Sequence, residues 1–161
     1  MMWYMGHILD NFCKILEFCL YQHLVIHVKP KISDSQHGFV SGRSTTTNLF
    51  VLTQFISDQL DGGSQVDVVY ADFSQAFDRL DHKLLLSKMK HFGVSRELHS
   101  LFQSHFSGES QYVEHIGIKS APFLVPSGVP QGSILGPLFF NMFVNDVTDG
   151  LARFSQPPLF R

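Results

Sequence analysis

Hydrophobic residues recur at helical spacing over residues 8–27, which predicts a first helix. The positions that share this spacing are Ile8, Phe12, Ile15, Leu16, Cys19 and Leu24. Pro30 ends this helix, because proline cannot donate the backbone hydrogen bond that would continue it. A second stripe predicts a helix that begins after Ser44 or Thr45, either of which is a suitable N-cap. That stripe consists of Leu49, Leu52, Ile56 and Leu60, and a Gly-Gly turn at residues 61–64 follows it.

Residues 65–73 are rich in β-branched and aromatic side chains, which predicts a strand. Asp81 is a suitable N-cap for a third helix, and Gly93 is placed to end that helix. Ser95 opens a fourth helix. Its inward face is expected to carry Leu98, Leu101, Phe102 and Phe106.

The last third of the chain predicts two more strands, residues 110–116 and 121–125, before a Pro-Gln-Gly turn. A final apolar helix is predicted over residues 138–144, and residues 153–161 form a loose tail that contains proline. Helices and strands do not alternate regularly, so the pattern favours an α+β fold over a series of βαβ units.

The composition is that of an ordinary globular protein, with 44% hydrophobic and 16% charged residues in a chain of 161. This length is enough for one domain with a real core. Sixteen Phe residues indicate a large apolar surface that must be buried. The net charge of −2 lacks the basic excess of proteins that track a phosphate backbone, and it argues against strong nucleic-acid binding.

Cys13 and Cys19 are six residues apart and would lie on different faces of a helix, so a disulfide between them is not expected. We interpret them as buried free thiols in a reducing compartment. Residues 1–20 are apolar but contain Asp10, Lys14 and Glu17, and no basic segment precedes them. They predict neither a signal peptide nor a membrane span, so we expect an intracellular protein, nuclear or cytoplasmic, without a membrane partner.

Asp72 is the first candidate for chemistry, because it lies where the predicted strand of residues 65–73 stops. Carboxylate oxygens are the ligands that Mg²⁺ prefers, and an Asp at a strand end is free to bind it. An Asp at this position could equally cap the turn that follows. The residue alone does not decide between these roles.

The surrounding residues 70–78, YADFSQAFD, resemble the YADFSKAFD motif of reverse transcriptases from non-LTR (LINE-like) retrotransposons. The resemblance places Asp72 on the metal-binding aspartate. Phe77 falls on the bulky residue expected beneath the incoming sugar, a position that also suits core packing. Asp78 and the Asp81 segment are better interpreted as structural caps than as metal ligands.

A second motif, SGVPQGSILGPLFF at residues 127–140, resembles the SGVPQGS-LGPLLF segment of the same enzymes. Gly128 and Gly132 would permit close backbone approach to a template or nucleotide. Gln131 could donate and accept hydrogen bonds there. The alternative is an ordinary β-turn that leads into a buried helix. The residue sequence of this motif favours the LINE-like group over group II introns or telomerases.

A third segment, residues 36–45, is similar to the QHGFRPGRST loop of the family. Val40 stands where that pattern has an arginine expected to meet phosphates, and an apolar side chain cannot make that contact. Arg43 is retained and could bind phosphate or be a solvated charge. Glu109 stands where relatives commonly carry arginine, and a carboxylate there would repel phosphate.

The resemblance implies a partial right-hand polymerase fold, with fingers-like residues 8–64, palm-like residues 65–151 and a tail at residues 152–161. It also implies Mg²⁺ as the cofactor and an RNA template, a DNA primer and dNTP as partners. The implied nucleotide- and template-binding residues are Phe73, Phe77, Arg43, Pro130, Gln131 and Gly132.

The third motif of the family, an aromatic-x-Asp-Asp hairpin, does not occur in these 161 residues. With Asp72 as the one carboxylate ligand, two Mg²⁺ ions would lack their cage, so we expect no catalysis by this chain as it stands. An incomplete palm sheet would also leave the edge of strand 65–73 open, which favours aggregation. The alternative function is a noncatalytic binding or interaction protein that reuses the palm scaffold.

Overall fold

The computed structural model describes residues 11–108, 110–130, 132–147 and 149. Over these ranges the chain is a mixed α+β structure, as predicted. The helices are α1 (Asn11–Val28), α2 (Thr45–Asp61), α3 (His82–His91), α4 (Arg96–Phe106) and α5 (Gly136–Val144), and a 3₁₀ turn (Lys29–Lys31) follows α1. The strands are β1 (Ser110–Gln111), β2 (Glu114–His115), β3 (Ile118–Lys119) and β4 (Phe123–Leu124).

Side-chain caps begin three of the helices where the sequence predicted them. Ser44 caps α2 in a reciprocal pair with Thr47, in which each residue's side-chain oxygen accepts a hydrogen bond from the other's backbone N–H. Asp81 caps α3, since its carboxylate accepts from the Leu84 N–H at 2.7 Å. Ser95 caps α4 in the same way. These contacts span three residues, so the sequence alone specifies them.

Gly93 ends α3 in the manner predicted. The Gly93 N–H donates to the Lys90 carbonyl, and the Val94 N–H donates to the Met89 carbonyl. These two bonds form a Schellman motif, which needs a left-handed residue after the helix, and Gly93 has a φ of +79°.

The two strands predicted over residues 110–116 and 121–125 are shorter than expected. β1 pairs antiparallel with β4, and β2 pairs antiparallel with β3. The segment 110–116 breaks at residues 112–113, between β1 and β2, and it ends where Ile116 and Gly117, both with positive φ, form the two-residue turn between β2 and β3. The chain therefore reverses within the segment that was predicted to be extended.

Residues 65–73 are not a strand, so this prediction was wrong. Their side chains include Val69 and Tyr70, which are 91% and 83% exposed. Propensity for the β conformation makes a segment extended, but a strand also needs a partner with which to exchange backbone hydrogen bonds. No partner strand for this segment occurs in the described part of the chain.

One compact unit consists of Met1–Lys31 and Gln75–Val144, described from residue 11 onward. Its core gathers apolar side chains from four helices and from Leu80, which precedes α3. The core residues on α1, α3, α4 and α5 include Leu24, Val28, Leu85, Met89, Phe102, Phe106, Leu138, Phe139 and Met142. The Phe102 and Phe139 rings meet edge to face with centroids 5.1 Å apart. Leu101 is exposed, contrary to its predicted inward position, and α5 begins two residues before residue 138.

The other unit consists of Ile32–Ser74 and Asn145–Arg161, described as far as residue 149. Its helix α2 has no buried residue. The Ser33 N–H donates to Oδ1 of Asn145 at 2.8 Å, which ties the two segments of this unit together. The predicted start of the first helix at residue 8 and the tail at residues 152–161 lie outside the described residues.

Cys13 and Cys19 are free but exposed, so their predicted burial was wrong. Both lie in the first half of α1, where Phe12 is also 80% exposed. Among the described residues, no helix has the length and apolar character needed to cross a membrane.

Candidate functional site

The backbone joins the end of the first motif to the start of the second. The Gly128 N–H donates to the Leu80 carbonyl at 2.8 Å, and the Val129 N–H donates to the Phe77 carbonyl at 3.1 Å. The Ser127 hydroxyl donates to the Asp78 carbonyl at 2.9 Å. Three contacts, each between residues about 50 apart in the sequence, fix these segments against each other. The sequence predicted two separate motifs, and the structure brings the end of the first against the start of the second.

Gly128 is the residue on which this arrangement depends. It is buried, its φ is +93°, and a Cβ built there would lie 2.9 Å from the Asp78 carbonyl oxygen. A side chain at this position would therefore clash with backbone. The sequence analysis expected Gly128 to allow close approach of a template or nucleotide. In the structure, the group that approaches Gly128 closely is the backbone of Asp78 in the first motif.

The turn at residues 130–133 is the exposed end of the second motif. The Ser133 N–H donates to the Pro130 carbonyl at 3.1 Å, which closes a β-turn. Gly132 has a φ of +85° and is exposed, and a Cβ there would meet nothing within 4 Å. Pro130 is half-buried. Gln131, the predicted hydrogen-bonding residue, lies outside the described residues.

Phe77 is half-buried and packs against α5, with its ring centroid 4.9 Å from that of Phe140. This contact supports the core-packing role that was considered beside the nucleotide role, and the two roles are compatible. Asp78 contributes its backbone carbonyl to the motif junction. Asp81 is a helix cap, as predicted.

Asp72 and Phe73 belong to the unit that contains Ile32–Ser74, and both are exposed. Asp72 does not lie at a strand end, because residues 65–73 do not pair. Within the described ranges there is no group of three or more His, Cys, Asp or Glu side chains that could hold a metal ion. The residues present therefore do not fit a two-metal cage by themselves, and Asp72 is a single candidate ligand.

Arg43 is engaged inside its own loop. Its Nη1 donates to the carbonyls of Ser33 and Gln36, both at 2.8 Å, and its Nη2 lies 2.8 Å from Oδ1 of Asp34. The side chain is 26% exposed. Arg43 thus holds the loop of residues 33–43 together. The sequence analysis had considered only phosphate binding or a solvated charge for this residue. Val40 is half-buried.

His82 and Glu17 contact the second motif, and the sequence interpretation gave neither a role there. His82 is 6% exposed, its Nε2 lies 2.6 Å from the Gly128 carbonyl oxygen, and its ring stacks on Phe106. Because a carbonyl only accepts, His82 must carry a proton on Nε2. Glu17 of α1 accepts hydrogen bonds from Ser133 and Ile134. No spacing rule predicts these pairs. Glu109, which stands where relatives commonly carry arginine, lies outside the described residues.

Comparison with known proteins agrees with the motifs. The model of the family "Reverse transcriptase (RNA-dependent DNA polymerase)" matches residues 3–156. The chain is 34% identical over 116 residues to the probable RNA-directed DNA polymerase from transposon BS of Drosophila melanogaster. It is 30% identical over 142 residues to the RNA-directed DNA polymerase from mobile element jockey of Drosophila funebris.

These matches cover most of this chain but a small part of each relative. The first covers 72% of the chain and 13% of the relative, and the second covers 87% and 15%. A third, the Pol polyprotein from retrotransposable element R2 of Popillia japonica, is 25% identical over 66% of the chain and 18% of its own length. The chain therefore belongs to the reverse transcriptase (RNA-dependent DNA polymerase) family, in the group carried by non-LTR, LINE-like retrotransposons.

Proposed function

We propose that this chain supplies the first two active-site motifs of a retrotransposon polymerase that copies an RNA template onto a DNA primer with dNTP. The observation that carries the proposal is the junction between residues 77–80 and 127–129. A polymerase must hold its metal-ligand motif and its nucleotide-facing turn in a constant relation, since catalysis depends on positioning. The junction provides such a relation between Phe77 and Asp78, which end the first motif, and the residues that begin the second motif.

Asp72 is the proposed metal ligand. Reverse transcriptases use divalent metal ions, and such an ion stabilises the attacking and leaving oxygens of phosphoryl transfer. Mg²⁺ binds carboxylate oxygen, and the exposed Asp72 is accessible to it. Because the described residues do not complete a cage, Asp72 would act with ligands that these residues do not include.

The turn at residues 130–133 is the proposed contact for nucleotide or template. Gly132 supports this role, because it is exposed and the space where a side chain would project is empty. A base or sugar could approach the backbone closely there. Gln131 is proposed to hydrogen-bond the same ligand, and Phe73 and Phe77 are each proposed as nucleotide- or template-binding residues.

The partial right-hand fold remains part of the proposal, with fingers-like residues 8–64 and palm-like residues 65–151. Arg43 lies in the fingers-like part. Since three of its hydrogen bonds go to its own loop, it would shape that loop, and any phosphate contact would use its remaining donors. The net charge of −2 supports weak binding of nucleic acid by the isolated chain.

A segment exchange tests the proposal. Residues 11–144 would replace the aligned segment of the jockey RNA-directed DNA polymerase, and DNA synthesis on an RNA template would be measured. We expect the chimaera to extend a primer and Asp72→Asn to abolish extension. Asp67 is an exposed carboxylate of the same segment, residues 65–73, so Asp67→Asn is the matched control and should retain activity. Equal activity of the Asp72→Asn and Asp67→Asn chimaeras would refute the assignment of Asp72.

A noncatalytic interaction protein is the second candidate, and exposed apolar side chains favour it. Phe12 and Phe50, on α1 and α2, are 80% and 67% exposed. Aromatic residues are enriched at protein interfaces. An inactive chimaera, together with salt-insensitive binding of the chain to a protein partner, would favour this candidate over the polymerase.

A further inference from the structure

The carboxylate of Glu17 reaches the second motif from α1. One oxygen accepts a hydrogen bond from the Ser133 hydroxyl at 2.7 Å, and the other accepts from the Ile134 N–H at 2.8 Å. Glu17 is half-buried, and 116 residues separate it from Ser133. Bonds to a charged acceptor are about twice as strong as neutral ones, so this contact is worth more than an ordinary loop hydrogen bond.

Ser133 connects Glu17 to the start of α5 and to the turn at residues 130–133. Its hydroxyl oxygen also accepts from the N–H groups of Leu135, just before α5, and of Gly136, the first residue of α5. Its own N–H closes the β-turn on the Pro130 carbonyl. A negative charge beside the first turn of a helix is also favourable, because the helix N-terminus carries partial positive charge. Glu17 therefore holds both the end of the turn and the start of the helix.

We propose that Glu17 is a positioning residue for the turn at residues 130–133. It fixes the C-terminal side of the turn, while the Gly128 junction fixes its N-terminal side. The turn is then held at both ends, so its exposed Gly132 has a defined orientation. That this orientation serves nucleotide or template rests on the proposed function; the positioning itself does not.

Amide hydrogen exchange in the full 161-residue chain, measured by NMR, tests the proposal. Glu17→Gln keeps the size of the side chain but has one acceptor oxygen for two donors. We expect the Ile134 amide to exchange about tenfold faster in Glu17→Gln, since the lost charge-assisted bond is worth roughly that factor. The Ser133 amide should also accelerate, because the turn that it closes is loosened. Glu17→Ala should enlarge both effects.

Lys14→Gln is the matched control, an exposed position one turn earlier in α1, and it should change neither amide. Ser133→Ala provides a second variant that leaves the Glu17–Ile134 bond available but removes the hydroxyl. It should accelerate the amides of Leu135 and Gly136 and preserve protection at Ile134.

Two results would overturn the proposal. One is unchanged protection of Ile134 and Ser133 in Glu17→Gln. The other is equal acceleration at these amides and at Leu85 and Met89 in the core of α3, which would show that Glu17 contributes to stability without positioning the turn. Because the readout does not use catalysis, an inactive segment-exchange chimaera would count against the proposed function and leave this result standing.

Discussion

Gly128 approaches the backbone of Asp78 so closely that a single added carbon at Gly128 would lie 2.9 Å from the Asp78 carbonyl oxygen. The same carbonyl accepts the hydroxyl of Ser127 at 2.9 Å. The two sequence motifs therefore meet through main chain, and the space between them admits no side chain at Gly128.

Gly128→Ala should destabilise the protein by about 3 kcal/mol, from left-handed backbone strain and from the contact with Asp78. Gly132→Ala is the matched control, because it shares the positive φ but meets no atom within 4 Å, and it should cost about 1 kcal/mol. Urea unfolding followed by circular dichroism measures both. Equal losses would show that close packing at Gly128 is unimportant.

His82 should be replaceable by a residue that donates from the same place. His82→Leu leaves the buried carbonyl of Gly128 without its donor and should cost about 1–3 kcal/mol. His82→Gln retains an N–H group at the position of Nε2 and should recover part of this loss. The free energy of unfolding of the two variants decides the matter; no difference between them would mean that stacking on Phe106 is the main contribution of His82.

Arg43 should stabilise its loop through carbonyl contacts more than through its ion pair. Arg43→Gln removes the bonds to the Ser33 and Gln36 carbonyls, so limited proteolysis within residues 32–44 should become several-fold faster. Asp34→Asn removes the ion pair alone. The Asp34 side chain is 96% exposed, and exposed pairs contribute about 0–1 kcal/mol, so this control should be cut at nearly the original rate. If the Asp34→Asn variant were cleaved faster than the Arg43→Gln variant, the ion pair would contribute more to the loop than the carbonyl contacts do.

A polypeptide of these 161 residues should not extend a primer. Its described part holds no cluster of three possible metal ligands, and the sequence has no adjacent pair of aspartates. Primer extension with Mg²⁺ on an RNA template is the measurement. Templated synthesis by this polypeptide that disappears in Asp72→Asn would contradict the prediction.

The segment 65–73 should promote self-association, because it is rich in apolar residues, largely exposed and unpaired within the described chain. Val69→Lys places a charge at a position that is 91% exposed and should reduce association at micromolar concentration. Gln65→Lys adds the same charge at a polar position and should change it less. Sedimentation velocity compares the two, and a monodisperse parent chain would remove the basis of the prediction.

The capped ends of α2, α3 and α4 followed directly from the residues, whereas α5 begins two residues before its predicted start. Ser44, Asp81 and Ser95 begin their helices, and Gly93 ends α3, because each acts through hydrogen bonds within about five residues. Strands were less predictable. The segment 65–73 has the right composition, but pairing depends on another part of the chain, which composition does not reveal.

The sequence by itself determined the family, the two motifs and the local helical structure, since each rests on residues that are close together in the chain. Only the tertiary structure decided which distant groups hold the second motif. Glu17 lies 116 residues from Ser133, and His82 lies 46 residues from Gly128. Hydrogen bonds over such separations exist only after the helices have packed, because packing brings the donors and acceptors within reach.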